Sequence, residues 1–291
     1  MLSRIKEAAG DALVRLDVVP GGVGDDGADG SPFEVAMHQR AGSTLRLVEE
    51  ALEARRALLA YQPVMRSGRT GHPAFHEALI RIQDEAGRII PARDFVAAVE
   101  DREAGRRIDA LALELALAEL RAQPGLRLSV NLSARSIGYR PWIAALEEGL
   151  ARAPTVGERL ILEITESSAM AMPELVTSFM ADLSDRGIAF ALDDFGAGMT
   201  SLRYLRDFYF DVMKIDGSFV TGIHESPDDR ALVAAMVSVA RHFEMFVVAE
   251  CVEEAVEARV LEELGVDCMQ GYFFGAPTIT PPWRADARRA G

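Results

Sequence analysis

IAFALDDFGAGMTSLRYL, residues 188–205, opens as a buried β-strand and ends in charge. Ile188, Ala189, Phe190, Ala191 and Leu192 form a continuous apolar run, the pattern of a strand covered on both faces. Asp193 and Asp194 then stand side by side, followed by Gly196 and Gly198. A core strand that ends in two adjacent carboxylates and a glycine loop needs a reason for both charges.

Apolar runs of the same kind recur along the chain. They are LLAYQPVM (58–65), AFHEALIRI (74–82), LRLSVNLS (126–133), RLILEIT (159–165), IAFALDD (188–194), DVMKID (211–216), MFVVAEC (245–251) and CMQGYFF (268–274). Helical periodicity fills most of the intervals. In SPDDRALVAAMVSVARHF, Ser226 reads as the cap, Pro227 as the first helical residue, and Leu232, Met236, Val239 and Phe243 as one stripe. Apolar strands joined by crossover helices predict a parallel sheet covered on both sides, and eight of them predict a closed (β/α)8, TIM-like barrel. The first two runs are too close for a crossover helix, so they form a hairpin and one strand runs antiparallel to its neighbour. Upstream, the Gly- and Asp-rich stretch 18–32 reads as a linker, giving a flexible segment over 1–32 and a single domain over 33–291. Ser31 and Pro32 mark the start of a helix that runs towards Arg56, with a break at Ala41–Gly42.

A net charge of −14 over 291 residues disfavours nonspecific binding to nucleic acid or to an anionic membrane. No apolar run approaches the roughly 18 residues of a membrane-spanning helix, and the first residues lack the apolar centre of a secretory signal. The two cysteines, Cys251 and Cys268, have no CxxC spacing and read as reduced, buried thiols in a cytoplasmic protein.

In such a barrel the functional residues gather at the C-terminal ends of the strands. Those ends carry Glu77 and Arg81, Asn131, Glu163, Asp193 and Asp194, Lys214 and Asp216, Glu250, and Gln270. One acid in an apolar run is usually a paired core residue. The same register repeated on strand after strand is not. Two carboxylates about 4 Å apart repel by roughly 4 kcal/mol at an effective dielectric near 20. Five are expected to converge, Glu77, Glu163, Asp193, Asp194 and Glu250, and Lys214 alone cannot neutralise them. An all-oxygen ligand set suits Mg²⁺ or Mn²⁺, with Ca²⁺ as an inhibitory substitute. Five acids and an amide are too many for one ion. Two ions sharing a carboxylate fit better, and such pairs hydrolyse phosphodiesters. A twist at the strand end would bring both Asp193 and Asp194 to metal.

HEALIR (76–81), YQP (61–63), VNLSA (130–134), LEITES (162–167), DDFGAGMTSLRYL (193–205), MKIDGSFV (213–220), AECVE (249–253) and QGYFFGAP (270–277) occur in one order. In these motifs the chain resembles the EAL domain family of cyclic-di-GMP phosphodiesterases, from about Ala60 to Pro277. The resemblance implies a barrel with an antiparallel first strand and hydrolysis of cyclic di-GMP to linear 5′-pGpG with two Mg²⁺ or Mn²⁺ ions. By position it implies Glu77, Asn131, Glu163 and Asp193 as ligands of one ion, with Asp193 bridging to a second held by Asp194 and Glu250. Lys214 would orient or deprotonate the attacking water or stabilise phosphate charge, and Gln270 would hydrogen-bond near that water. Arg81 would contact a phosphate, while Gln62, Leu79 and Asp216 shape the substrate groove. Glu166 would pin the Ala197–Ser201 loop, which in this family connects metal occupancy to homodimer contacts.

The chain departs from the family at Ile82, usually Trp, at Ala197, Met199 and Thr200 in the glycine loop, at Cys251, usually Gly, and over FVAAVED (95–101). No implied ligand is lost. Beside the ligands, His76 reads as a packed histidine and Cys251 as a small core residue. Arg284, Arg288 and Arg289 read as solvated, and Met170, Met172 and Met180 as helix packing. The competing function is a binding module that senses cyclic di-GMP or docks a protein without turnover; the complete ligand set favours the enzyme.

Overall fold

The structure is a computed structural model that describes residues 32–68, 71–198 and 204–284. The linker expected over 18–32, up to Gly30 and Ser31, lies outside the described residues, as do Arg288 and Arg289. Helix α1 spans Pro32–Glu53 without a break at Ala41–Gly42 and stops short of Arg56. A lone glycine costs a helix about 1 kcal/mol, and burial of Val48, Ala51 and Leu52 further along outweighs that.

Strands β1 (Ala57–Arg66) and β2 (Pro73–Gln83) form the expected hairpin, antiparallel from Ala57–Ile82 to Met65–Pro73. A strand absent from the eight-run reading follows: β3 (Ile89–Pro91) pairs antiparallel with the end of β2 and lies outside the barrel. Six parallel strands continue the wall: β4 (Leu128–Asn131), β5 (Leu160–Thr165), β6 (Ala189–Phe195), β7 (Val212–Ile215), β8 (Phe246–Ala249) and β9 (Cys268–Met269). Pairing of β1 with both β2 and β9 closes a mixed eight-stranded barrel, a TIM-like fold with one antiparallel strand. The later strands are shorter than their apolar runs. Glu250 and Gln270, placed within the sequence runs, stand just past the strand ends.

Helices α3 (Glu103–Ala122), α4 (Arg140–Arg152), α6 (Pro173–Ser184), α7 (Pro227–His242) and α8 (Ala255–Leu264) lie between successive strands; the short α2 (Val96–Val99) and α5 (Glu166–Ala171) lie at loops. On α7 the Ser226 hydroxyl accepts the Asp229 N–H, as a cap should. Its buried stripe is Val233, Val237 and Ala240, with Met236, Val239 and Phe243 at the margins and Leu232 exposed. The stripe read from sequence is displaced by one residue. Within FVAAVED, Phe95 and Val99 are buried against Ile82, Ile108 and Leu111. Ile82 therefore serves a second small core outside the barrel rather than the groove.

Inside the barrel, Val64, Phe75, Ala191, Val212, Val248 and Cys268 form an apolar floor. Outside it, the C-terminal segment returns to the wall. Thr278 bridges to Tyr61, and Trp283 and Arg284 both donate to Glu119 of α3. Arg284 also donates to the Tyr61 hydroxyl. Arg284 is thus an ion-pair partner, not a solvated tail residue, because its carboxylate comes from a distant helix. Met180 is buried, and Met170 and Met172 pack at the edge of the core.

Candidate active site

Above the apolar floor, every inward side chain changes character. Lys214, 1% exposed, sits on the barrel axis side of β7. Its Nζ lies 2.8 Å from Asp193, 2.9 Å from Glu163, 2.8 Å from Glu250 and 3.9 Å from Glu77. Three strands and one loop thus deliver four acids to one lysine. Asn131 is level with Glu163 in the β4–β5 register, and its Nδ2 donates to Glu77 Oε1 at 3.0 Å. Gln270 Nε2 donates to Glu77 Oε2 at 2.6 Å and to Gln62 Oε1 at 3.1 Å. Gln62 Nε2 in turn donates to the Gly275 carbonyl.

The adjacent aspartates are reconciled by the backbone. The β6–β7 register shifts between Leu192 and Phe195, and Asp194 adopts φ +55°, in the left-handed region. An ordinary strand would send successive side chains to opposite faces. Here the turn at Asp194 brings its carboxylate back, and Asp193, Asp194 and Glu250 each place an oxygen within 4.8 Å of the others. Cys251, after Glu250, is also left-handed at φ +56°. Two such residues side by side in one site are backbone outliers of the kind that cluster at functional centres. Gly196 is required as glycine: at φ +98° a Cβ there would meet the Phe219 ring at 2.6 Å. Its N–H donates to Glu166 Oε2. That contact joins Glu166 to the start of the glycine loop; residues 199–203, including most of Ala197–Ser201, lie outside the described residues.

The electrostatics show a shortage of positive charge. Burial, then repulsion from Glu77 and Asp193, pushes Glu163 well above the usual carboxylate range despite Lys214. Burial and repulsion from Asp193 and Glu77 push Glu250 up to about 8. Asp194 is raised by burial and by Asp193. On Glu77 burial is outweighed by Lys214 and by the bonds from Gln270 and Asn131, which hold it low. Burial opposes the ammonium form of Lys214, but the surrounding acids hold its pKa well above the usual value. Glu163 Oε1 is buried without a hydrogen-bond donor among the described residues. Hard, all-oxygen donors, an orphaned buried oxygen and a charge deficit fit divalent cations.

Beside the cluster lies a groove of about 320 Å³. Gln62, Glu77, Leu79, Arg81, Glu250 and Gln270 all line it. Asp216 is not among its lining residues; its carboxylate accepts the Ser218 N–H at 3.0 Å and caps a short turn. Arg93, Glu253 and Tyr272 line the groove and were not singled out in the sequence. Their signal was weak: Arg93 follows a three-residue strand, and the other two stand in loops. Cys251 also lines it and is exposed, which corrects its reading as a buried core residue. The left-handed turn at Cys251 faces it out of the wall, while Cys268 is buried as expected. His76 packs edge-on against Trp283 at 4.7 Å, away from the cluster.

The profile of the EAL domain family matches residues 46–277. The chain is 33% identical over 234 residues to cyclic di-GMP phosphodiesterase PdeF of Escherichia coli, covering 79% of this chain and 31% of the relative. It is 30% identical over 253 residues to cyclic di-GMP phosphodiesterase PdeB of Shewanella oneidensis, covering 86% of this chain and 30% of the relative. The chain therefore spans about a third of the length of these relatives. Among solved structures, the PaMucR phosphodiesterase in complex with c-di-GMP superposes with a TM-score of 0.75 at 29% identity, covering 84% of this chain and 99% of the other. With the family profile spanning most of its length, the chain belongs to the EAL domain family.

Proposed function

We propose that this chain hydrolyses cyclic di-GMP to linear 5′-pGpG in a metal-dependent reaction, lowering a bacterial second messenger in the cytoplasm. The observation that carries the reading is the buried ring of Glu77, Glu163, Asp193 and Glu250 around Lys214, which has more negative charge than the chain itself neutralises. Similarity to proteins named as cyclic di-GMP phosphodiesterases supports it. Among the described residues no helix is long and apolar enough to cross a membrane.

In this reading Glu77, Asn131, Glu163 and Asp193 would hold one Mg²⁺ or Mn²⁺ ion, and Asp193, Asp194 and Glu250 would hold a second. Such ions supply Lewis acidity for a water and charge neutralisation at the phosphoryl oxygens. Water oxygen bonds to phosphorus, the bond from phosphorus to the 3′-oxygen breaks, and the 3′-oxygen takes a proton. Lys214 fixes the spacing of three carboxylates and offers an ammonium to the phosphate. Gln270 and Asn131 each hold one oxygen of Glu77 and so set its orientation. Arg81 binds a phosphate, Gln62 and Leu79 shape the groove, and Asp216 orders the turn beside it. Glu166 holds the glycine loop, through which the homodimer forms. Ca²⁺, with longer and looser coordination, inhibits.

The test is the purified protein with cyclic di-GMP and Mg²⁺ or Mn²⁺, followed by chromatography for pGpG, with Ca²⁺ in parallel. Tight binding without product would make the chain a sensor. Neither binding nor product would remove cyclic di-GMP as its ligand.

A further inference from the structure

Strand β3 is an addition to the barrel, and its position has a chemical consequence. Pro91 lies opposite Arg81 in the β2–β3 register. The short turn Ala92–Asp94 that follows is therefore carried to the rim of the groove. Arg93 lines that groove together with Arg81 and Tyr272. Its side chain is 77% exposed, and Asp94 stands 3.8 Å from its Nε, beyond hydrogen-bonding distance. Arg81 lies deeper, half-buried, and donates to the Ile80 carbonyl. Burial above all, and the charge of Arg93 in addition, hold the Arg81 guanidinium below its usual value against the pull of Glu77. Two cations thus face one volume, on a chain whose net charge is −14.

Depth separates their tasks. The deeper guanidinium is nearer the acid cluster, where a phosphodiester must lie to react. A base attached to the same nucleotide projects away from the phosphate towards the rim. There it meets Arg93 on one wall and the ring of Tyr272, 59% exposed, on another. An arginine fork matches the paired acceptors O6 and N7 of guanine, whereas adenine presents an amino donor in place of O6. Stacking on an aromatic ring tolerates any base, so discrimination falls to the guanidinium.

We propose that Arg93 is a specificity-determining residue that reads the O6/N7 edge of one guanine of the substrate, with Tyr272 as the ring on which that base stacks. This rests on the cyclic-di-GMP reading of the site. The experiment compares wild type with Arg93→Ala, measuring KM and kcat for cyclic di-GMP and, with Ca²⁺ in place of Mg²⁺, affinity for cyclic di-GMP and cyclic di-AMP. The expected result is a KM raised at least roughly fivefold, the lower end of what a bidentate arginine–guanine pair contributes, with kcat changed less than twofold. The preference for cyclic di-GMP over cyclic di-AMP should shrink by the same factor. Equal loss of affinity for both dinucleotides would make Arg93 a phosphate contact and overturn the proposal, as would an unchanged KM. Failure of the wild type to bind or hydrolyse cyclic di-GMP would instead overturn the reading of the site, and this inference with it.

Discussion

The interior of the barrel has two levels built from the same strands, and they obey opposite rules. The floor consists of Val64, Phe75, Ala191, Val212, Val248 and Cys268, with Ile161 packed against it. Two residues further along β2 and every parallel strand except β4, the inward position is Glu77, Glu163, Asp193, Lys214, Glu250 or Gln270; on β4 both levels are polar, Ser129 below and Asn131 above. On the antiparallel β1 the step runs backwards, from Val64 to Gln62. Since side chains on one face of a strand repeat with period two, every barrel strand but β4 changes from apolar to polar in one step. The floor gains from burial, at about 25 cal/mol per Å² of apolar area. The upper level burdens folding, because buried charge is costly unless it is paired. Its acids outnumber the one lysine, and stability gives no reason for the excess. The contrast therefore locates function at the upper level and structural support at the lower.

The largest effect should come from the upper level. Asp193→Asn preserves shape and removes one charge from the position that two cations would share. Turnover should fall by more than roughly 100-fold, beyond the range of substitutions that only orient a ligand. The thermal midpoint without metal should change little, since one acid fewer eases the repulsion on Glu163 and Glu250. Full turnover in a folded Asp193→Asn protein would break the division between levels.

Lys214→Met should do two things at once. Without metal it leaves buried acids uncompensated, at a cost of about 3 kcal/mol, visible in urea unfolding. Mn²⁺ should recover much of that stability, because cations replace the lost charge. If Lys214 also serves the reaction, kcat should stay low in saturating Mn²⁺ while substrate affinity changes less. Recovery of kcat together with stability would make the lysine a spacer only.

Phe75→Ala tests the floor. It removes a buried ring and should destabilise by about 3 kcal/mol through lost burial and a cavity. Turnover per folded molecule should stay close to wild type, since Glu77 remains tied to Gln270 and Asn131. A large loss of kcat at temperatures where the variant is folded would mean that the floor positions the ligands and that the two levels are not separable.

Much of this contrast was legible from sequence because it is written in local pattern. Apolar runs ending in acids, and a first pair too close for a helix, are sufficient for a barrel with one reversed strand. The candidate ligands stood out because the same polar step recurs. What escaped depends on backbone angles and distant partners. A left-handed Asp194 and Cys251 have no sequence signature when the residue is not glycine, so the exposure of Cys251 was misread. Strand β3 has three residues and owes its existence to the edge of β2. Arg284 finds Glu119 across 165 residues of chain, which no local window contains.

The smallest expected effect lies on the other face of β2, where His76 precedes Glu77. The two residues point in opposite directions, and their environments push in opposite senses. Glu77 is kept charged by Lys214 and two amide donors. His76 packs against Trp283, and burial lowers its pKa to about 4 from an ordinary value of 6.5. Between those values the unfolded chain binds a proton that the folded chain refuses. Stability from this group is therefore complete above about pH 6.5 and is lost as pH falls towards 4. Because the ring is only partly buried, solvent screening reduces the effect to about 1 kcal/mol. The neighbouring charges, Glu119 of α3 and Arg284 of the C-terminal segment, pair with each other, and that pair is common to both proteins compared. His76→Phe keeps a ring against Trp283 and cannot take the proton. Denaturant unfolding of wild type and His76→Phe at pH 7.5 and pH 4.5 should show the variant gaining by about 1 kcal/mol relative to wild type at the lower pH. A difference that does not change with pH would mean His76 is charged or solvated in the folded protein, and that the outer face of β2 is less sheltered than its inner one.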